Sequence, residues 1–278
     1  AAAAAAPGDD DASVLFALGA EPFVGPVRVG LAPGRGRGLF VTEDVRAGRL
    51  LLCAHAAATG ENDALRGTLK AAMQRNAALA AAVLNLSHGS ADSESVLPGQ
   101  ELEFLAAPRR PHCCFGRDGV PDQAAAPSDE ELESILYHNQ FSLPCVNANS
   151  APIEVTNDHA RSGLWVLPAF LNHSCLPNVQ RLIVWDCLFL RASRDLVAGE
   201  ELFECYIETL QPLARRRAAL QTYGIEACQC DRCLLEEAVL DPGEVGRVLE
   251  AAARARADPA AEPAAQAAVA EEAAELAD

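Results

Sequence analysis

The sequence predicts a mostly β protein with helical insertions, and three observations support this. Short β-prone segments bounded by turn residues recur on both sides of the central region, at residues 23–29, 39–41, 50–53, 164–167, 179–185, 188–192 and 201–207. Two of them are separated only by Asp186 and Cys187, which predicts a hairpin. Apolar residues at helical spacing dominate one long segment, residues 62–87. Strands therefore form the framework, with helices inserted between them.

The strands at 23–29, 39–41 and 50–53 surround a glycine-rich stretch at residues 33–40. Gly34, Gly36 and Gly38 alternate there with arginines, so the backbone must turn sharply or lie close against another group. A hairpin turn would use the same residues, and no Lys-Ser/Thr pair follows that would indicate a phosphate-binding loop. We expect 39–41 and 50–53 to be two short strands joined by a glycine-containing connection.

Four segments are expected to be helical. The helix at 62–87 has Asn62 or Asp63 as its cap and Gly89 as its stop. Ser128 and Glu131 form a capping box that starts a short helix. The other two are 213–222, which follows a proline and ends at a glycine, and 243–257. The buried face of the helix after Ser128 is predicted to be Leu132, Ile135 and Leu136.

Composition and charge limit the functional classes. The chain has 278 residues, half of them apolar, and a formal net charge of −17. This charge argues against a nucleic-acid-binding surface and suits a basic protein partner, although solubility alone would also explain it. No apolar run reaches the roughly 20 residues that a membrane helix requires.

The ten cysteines fall into two groups. Six are scattered, mostly within apolar runs, and are interpreted as small buried hydrophobic residues: Cys53, Cys113, Cys114, Cys145, Cys187 and Cys205. His112 precedes two of them, but a structural role is favoured there over metal binding. The remaining group contains a Cys-x-Cys-x-x-Cys spacing in a loop-like, polar setting, which is typical of metal ligands in a reducing compartment: Cys175, Cys228, Cys230 and Cys233.

Residues 170–179 combine several chemistries in ten positions. Asn172 and His173 can recognise a flat, hydrogen-bonding ligand, and Cys175 can donate a thiolate to a metal. Burying an Asn-His pair without a function would leave several donors and acceptors to satisfy. This stretch is therefore the first candidate for a functional site. The competing interpretation is that the Asn-His pair lies at the end of a helix and has no functional role.

The order of these motifs resembles that of SET-domain protein-lysine methyltransferases, particularly the SMYD-type branch, over roughly residues 23–236. The resemblance is carried by Arg-Gly-Arg-Gly-Leu-Phe at 35–40, Asn-His-Ser-Cys-Leu-Pro-Asn at 172–178, Gly-Glu-Glu-Leu at 199–202 leading to Tyr206, and the cysteines at 228–233. It implies a SET-domain β-fold of several small sheets, in which the chain leading to Tyr206 threads the 170–178 segment in a pseudoknot-like crossing. SMYD-type proteins usually carry a MYND zinc finger in the variable insertion, and the sequence contains none.

The resemblance also implies a domain organisation. Residues 1–22 would be a disordered tail, and residues 23–210 the SET domain with a variable helical and loop insertion at 56–137. Residues 211–236 would be a cysteine-rich post-SET zinc-binding segment. Residues 237–278 would be a helical, low-complexity acidic tail.

The implied activity is transfer of a methyl group from S-adenosylmethionine to a lysine of a histone or another protein. Tyr206 would be the catalytic residue and would also contact the cofactor; a strand tyrosine packed in the core is the alternative. Tyr223 would wall the substrate channel, with a core role equally open. The implied cofactor-binding residues are Arg35, Gly36, Arg37, Gly38, Asn139, Asn172 and His173. For Asn139 taken alone, a turn role is favoured.

Cys175, Cys228, Cys230 and Cys233 would form a closed, structural Cys₄ zinc site. The partner would be a protein with a basic, lysine-containing segment, and we expect a monomer in the nucleus or cytoplasm that binds neither nucleic acid nor membrane. Phe203 and Glu204 depart from the family pattern. They keep open an alternative: a weak or inactive zinc-stapled SET scaffold that binds basic tails. A zinc hydrolase fits poorly, because it needs an open coordination position.

Overall fold

The computed structural model describes residues 21–87, 102–106, 127–143, 145–147, 154–156, 161–241, 243, 245 and 247. The chain divides into two compact units, each with its own internal contacts. The first comprises Ala1–His173 and Pro177–Glu204, and the second comprises Ser174–Leu176 and Cys205–Asp278. No helix among the described residues combines the length and apolarity needed to cross a membrane.

All the strands found among the described residues lie in the first unit. They are β1 Phe23–Val24, β2 Val27–Ala32, β3 Gly36–Val41, β4 Leu50–His55, β5 Ala58–Glu61, β6 Gln140–Ser142, β7 Cys145–Asn147, β8 Glu154–Thr156, β9 Arg161–Leu164, β10 Asn172–His173, β11 Val179–Val184, β12 Cys187–Ala192 and β13 Glu201–Glu204. They form four small sheets, ordered β1-β4-β12-β11, β10-β13-β3-β2, β5-β9-β6 and β7-β8. The mostly β fold of several small sheets is thereby confirmed.

The helices lie between and after these strands. They are α1 Asn62–Arg75, α2 Ala77–Leu84, α3 Leu102–Ala106 and α4 Asp129–Asn139 in the first unit, and α5 Leu213–Leu220 and α6 Asp231–Val239 in the second. Helices α1 to α4 fall in the expected insertion. Their apolar faces join the strands in one core that includes Leu65, Leu69, Ile135 and the fully buried Trp165.

Several local predictions are confirmed. Strands β11 and β12 form the expected antiparallel hairpin. Ser128 caps α4 by accepting a hydrogen bond from the Glu131 amide at 3.1 Å, and the three predicted apolar residues of that helix are buried. In the second unit, α5 passes into a 3-10 turn, Gln221–Tyr223, that ends at Gly224 with φ of 71°.

The predicted helix at 62–87 is wrong as a single element. Asn76 adopts an extended backbone and its side chain accepts a hydrogen bond from the Leu79 amide at 3.0 Å, so it starts a new helix. The predicted cap is also wrong, because the N-cap of α1 is Glu61. Glu61 is the last residue of β5, where it pairs with Arg161 of β9. The predicted stop, Gly89, lies outside the described residues.

The two short strands expected at 39–41 and 50–53 are present as β3 and β4, which belong to different sheets. Two further predictions need correction. The strand predicted at 164–167 is β9, which ends at Leu164, because a 3-10 turn begins at Pro168. The strand predicted at 201–207 ends at Glu204, so Tyr206 is not a strand residue.

The C-terminal cysteines lie in a different setting from the one expected. The predicted loop contains helix α6, whose N-cap is Cys230 and whose first turn holds Cys233. Within the predicted helix at 243–257, the described residues Gly243, Val245 and Arg247 are helical. The 112–114 cluster and the tail at 1–20 lie outside the described residues. The domain boundaries given above remain predictions.

Candidate functional site

Most candidate residues of the first unit lie on or next to the adjacent strands β10, β13 and β3. Strand β10 pairs in parallel with β13, with Asn172 opposite Phe203 and His173 opposite Glu204. Strand β13 in turn pairs antiparallel with β3, with Leu202 opposite Leu39. This ladder brings the Asn-His pair beside the glycine-rich strand, although the two are more than a hundred residues apart in sequence. The threaded crossing itself remains a prediction.

Asn172 holds this arrangement through its side-chain amide. Its Nδ2 donates to the Arg37 carbonyl at 2.8 Å and to Oε1 of Glu201 at 2.7 Å. A Cβ atom on residue 38 would lie 2.6 Å from Glu201 Oε1 and 3.1 Å from Asn172 Nδ2. Gly38 is therefore required by a close approach of polar side chains, as one of the two sequence interpretations proposed. We define Gly38, Asn172 and Glu201 as the amide-carboxylate cluster.

The two arginines of the glycine stretch are both engaged by protein groups. Arg35 forms an ion pair of 2.5 Å with Glu201, and its guanidinium lies 5.3 Å from the centroid of the Phe203 ring. Arg37 is buried, donates to Asn85 Oδ1 at 3.0 Å and lies over the Phe170 ring. Each cation thus fixes the strand to a second element.

Asn139 is buried at the end of α4, so it is not a turn residue. Its Nδ2 donates to the Ser87 carbonyl at 2.6 Å and to the Ile135 carbonyl at 2.7 Å. Because Arg37 bonds to Asn85, the segment 85–87 at the end of α2 binds both candidate residues. This segment is the part of the helical insertion that positions them.

Asn178 is the last residue of the 172–178 motif and has a structural role. Its Nδ2 donates to the Glu201 carbonyl at 2.8 Å, and its Oδ1 accepts from the Phe203 amide at 2.7 Å. A side-chain amide has the same donor and acceptor as a backbone peptide group. Asn178 therefore bonds to the backbone of β13 as a residue of a neighbouring strand would. These two hydrogen bonds hold the backbone of Glu201 in a fixed position beside the 172–178 motif.

Glu204 is the residue that departs from the family pattern. It is buried and pairs with Arg181 at 2.8 Å, while the Arg181 guanidinium also lies 5.0 Å from the centre of the Phe141 ring. Burial raises the pKa of Glu204 to about 7, and the attraction of Arg181 only partly offsets that rise. The carboxyl group is thus poised to change charge near neutral pH.

The second unit brings together the two tyrosines that sequence analysis singled out. The rings of Tyr206 and Tyr223 have centroids 5.3 Å apart and an interplanar angle of 56°. Both side chains are half-buried, and both lie outside regular strands. A pair of contacting, partly exposed phenols is typical of a ligand-facing surface more than of a core.

The same unit gathers the four candidate metal ligands. The Sγ atoms of Cys175, Cys228, Cys230 and Cys233 all lie within 4.8 Å of one another. Three of the side chains are buried and Cys230 is half-buried, in a small core with Leu220. Four thiols at this separation fit tetrahedral Cys₄ coordination with no open position. The donor set therefore suits a structural zinc ion.

Two arginines support this four-cysteine cluster. Arg216 is almost fully buried, donates to Glu236 at 2.6 Å and lies 3.7 Å from Cys233 Sγ. Arg232 bonds to the other Glu236 oxygen at 2.6 Å and to the Thr209 carbonyl at 2.8 Å. The two guanidinium groups share one carboxylate, which ties α5 to α6 beside the thiols.

The thiols of the cluster differ in how readily they ionise. Burial opposes ionisation of Cys230, but hydrogen bonds from the Cys233 amide and neighbouring thiols lower its pKa to about 7. Burial raises the pKa of Cys175. Cys230 is thus more readily available than Cys175 as a thiolate at neutral pH, which is the form that binds metal.

Sequence analysis missed three contributors to these sites. Glu201 was quoted as part of a motif but given no role, although it links Arg35 and Asn172. Asn85 and Ser87 carried no signal, because their relevance depends on the fold. A second group with metal-ligand chemistry, His55, Asp186 and Cys187, was also missed.

Comparison with known proteins follows this geometry. The SET domain family model matches residues 36–207, which is more than half of the chain and spans β3, the Asn172 motif and Tyr206. The chain belongs to the SET-domain family.

Within that family, the chain is similar to SMYD-type methyltransferases. It is 38% identical over 126 residues to the mouse histone-lysine N-methyltransferase SMYD3, covering 44% of this chain and 27% of that protein. It is 32% identical over 93 residues to the human N-lysine methyltransferase SMYD2, covering 33% and 22%. A Gibberella zeae methyltransferase is 27% identical over 235 residues, covering 78% and 32%. The chain thus spans about a third or less of these relatives.

Among solved structures, the chain is similar to the SET domain of LSMT bound to lysine and AdoHcy. The sequence identity is 13% and the TM-score is 0.34, covering 76% of this chain and 57% of that one.

Proposed function

We propose that this chain is a protein-lysine methyltransferase that uses S-adenosylmethionine. The observation that carries the proposal is the family match over 36–207, which contains in one segment the glycine strand, the Asn172-His173 pair and Tyr206. The named SMYD relatives, which are lysine methyltransferases, support the same activity.

The cofactor, when bound, supplies an electrophilic methyl group. The proposed cofactor-binding residues of the first unit are Arg35, Gly36, Arg37, Gly38, Asn139, Asn172 and His173. The amide-carboxylate cluster supports this role, because the missing side chain at Gly38 lets polar groups approach the backbone closely. The buried bonds of Arg37 and Asn139 to segment 85–87 would hold this surface rigid.

Tyr206 is the proposed catalytic residue, and its hydroxyl would also contact the cofactor. Its task would be orientation of the incoming lysine amine, which must be neutral to attack the methyl carbon. Positioning of this kind can supply roughly 7–11 kcal/mol of a barrier. Tyr223 would form one wall of the amine's path, and its ring contact with Tyr206 supports a shared role.

The four-cysteine cluster is proposed to hold a structural zinc ion. The zinc would touch no substrate, since its four ligands would complete the coordination shell. Its proposed role is to order the segment that carries Tyr223. The protein substrate is proposed to present its lysine in a basic segment, which the net charge of −17 would attract.

The scaffold alternative rests on Phe203 and Glu204, and the contacts of Glu204 do not favour it. The Glu204 carboxylate is paired with Arg181 rather than left to repel or capture a substrate. The enzyme is therefore the function we propose.

The test is transfer of label from S-adenosylmethionine to histones and to cell-extract proteins. Wild-type protein is compared with Tyr206→Phe and with Tyr137→Phe, a matched control at an exposed tyrosine. We expect labelled bands with wild type and the control, and a loss of about 100-fold or more with Tyr206→Phe. Equal, negligible transfer by all three forms would support the scaffold instead.

A further inference from the structure

Four side chains with metal-ligand chemistry meet in the sheet β1-β4-β12-β11. Strands β4 and β12 pair so that Cys187 lies opposite His55 and Phe189 lies opposite Cys53. Because side chains alternate along a strand, Cys53, His55 and Cys187 lie on one face of the sheet. Asp186 stands immediately before β12, in the turn of the β11–β12 hairpin. We call these four residues the sheet cluster.

The ligand atoms of three members converge, since His55, Asp186 and Cys187 each place one within 4.8 Å of the other two. His55 Nδ1 lies 3.5 Å from Cys187 Sγ and 3.5 Å from Asp186 Oδ2. Asp186 Oδ1 lies 3.8 Å from Cys187 Sγ. The thiols of Cys53 and Cys187 are in hydrogen-bonding contact. Cys53, His55 and Cys187 are all buried, and only Asp186 is partly exposed.

Hydrogen bonding alone explains these distances poorly. The contacts of His55 with Cys187 and Asp186 use the same ring nitrogen, which has either one proton or one lone pair to offer. At 3.5 Å, the Nδ1-to-carboxylate distance also exceeds the usual length of an N–H···O bond, about 2.7–3.2 Å. In a charge relay through His55, one of these partners would bond to Nδ1 and the other to Nε2.

A tetrahedral metal explains them better. With ordinary zinc bond lengths, a nitrogen and a sulfur ligand are about 3.6 Å apart, and a nitrogen and an oxygen ligand are about 3.4 Å apart. The observed 3.5 Å separations are close to both values. An imidazole, a carboxylate and a thiol are also donors that zinc accepts.

The turn that carries Asp186 is fixed in advance of any metal. The Asp186 carbonyl accepts hydrogen bonds from the Ala56 amide at 2.8 Å and from Trp165 Nε1 at 2.9 Å. Since Trp165 is fully buried, the Asp186 backbone is held against the core. The carboxylate is thereby presented to His55 by a rigid support.

We propose that the sheet cluster is a second metal site, which binds a zinc-like divalent ion through His55, Asp186 and Cys187, with the Cys53 thiol beside Cys187. The ion would cross-link β4 to β12 and pin the hairpin turn. The site is separate in its ligands from the four-cysteine cluster and goes beyond the proposed methyltransferase function.

Metal content and cobalt spectroscopy of the full chain test this proposal. Protein is loaded with Co²⁺ alone, and metal per chain is measured together with thiolate-to-cobalt absorption. Cys228→Ser removes a ligand of the four-cysteine cluster, His55→Ala removes a ligand of the sheet cluster, and Cys205→Ser is the control outside both. We expect the metal equivalent at the sheet cluster, and its absorption, to persist in Cys228→Ser and in Cys205→Ser. Both should disappear in His55→Ala.

Asp186→Asn guards against misfolding of His55→Ala, because it preserves shape at a partly exposed position. It should weaken binding of the second equivalent at least about 10-fold, the loss that even an outer-shell partner causes. A single equivalent in wild type overturns the proposal. So does a second equivalent that survives both sheet-cluster variants, or one that is lost only when Cys113 and Cys114 are replaced by serine.

Discussion

The two metal-binding clusters proposed for this protein are built in opposite ways. In the four-cysteine cluster, three ligands come from the single segment 228–233, around the start of helix α6. In the sheet cluster, His55 comes from β4, whereas Asp186 and Cys187 come from the hairpin turn and the first residue of β12, more than a hundred residues away in sequence. The first is organised by local chain geometry, and the second by strand register.

Their supports differ accordingly. The four-cysteine cluster sits in a core of few apolar residues and depends on the arginines around Glu236. The sheet cluster is backed by the large core that contains Trp165. A metal should therefore contribute most of the stability of the second unit, but only part of the stability of the first. The following predictions test this difference.

Removing metal from the four-cysteine cluster should have the largest effect. Cys228→Ser is expected to abolish methyl transfer, because structural zinc supplies roughly 10–16 kcal/mol of apparent binding free energy to small domains. Limited proteolysis, read by mass spectrometry, should show new cleavage after residue 204. Cys187→Ser should leave that segment protected. Full turnover by Cys228→Ser with verified metal loss would contradict the account.

Substitution at Gly38 should disrupt the amide-carboxylate cluster without affecting either of the two proposed metal sites. A valine there would displace Glu201 and Asn172, since even its Cβ would lie 2.6 Å from a carboxylate oxygen. Calorimetry should show binding of S-adenosylmethionine weakened by about 100-fold, or about 3 kcal/mol. Metal content should equal that of wild type. Unchanged cofactor affinity would separate the glycine strand from the proposed function.

Glu204 should make the stability of the first unit depend on pH. Its folded pKa of about 7 exceeds its ordinary value of 4.5, so the folded state binds the proton more tightly. The resulting stabilisation is complete below about pH 4.5 and is lost as pH rises through 7. Relative to Glu204→Gln, wild type should lose at most about 3 kcal/mol over that range, measured by urea unfolding. Parallel pH profiles of the two proteins would refute this.

The smallest expected effect is at the turn of the sheet cluster. Trp185 is exposed and has φ of 57°, a left-handed conformation that costs a non-glycine residue about 1–2 kcal/mol. Trp185→Gly should raise the free energy of unfolding by up to about 1 kcal/mol, measured by urea denaturation, and should leave metal content unchanged. A lower free energy of unfolding would mean that a contact of the Trp185 indole stabilises the fold by more than the left-handed backbone costs.

The contrast between the clusters also explains what could be predicted from sequence. Cys-x-Cys-x-x-Cys is a local spacing, and its three thiols do come together with the thiol of Cys175. Cys187 and Cys53 were interpreted as buried hydrophobic residues, and they are buried. Their meeting with His55 depends on a strand register that no local pattern reveals.

The same division holds for the fold. Capping by Ser128 and the hairpin at 179–192 follow from adjacent residues and were predicted. The separation of β3 and β4 into different sheets depends on long-range pairing, and it was missed. The break at Asn76 was missed for another reason: helical spacing continues across it, while the side chain caps the next helix.

For the candidate site, motifs supplied the residues but not their partners. Asn172 and Gly38 were both selected, yet their link through Glu201 appears only when β13 lies between β10 and β3. Asn85 and Ser87 lie at the end of a helix whose sequence is mostly alanine, and nothing in that composition marks them.

The most direct test of the account is mass-spectrometric mapping of the product. A basic, lysine-containing protein is incubated with the full chain and S-adenosylmethionine carrying a deuterated methyl group, and its peptides are sequenced. The account predicts the deuterated methyl on a lysine side-chain nitrogen, strictly dependent on the cofactor and on Tyr206. A methyl group found only on another residue type, or none on any substrate by metal-loaded protein, would contradict it.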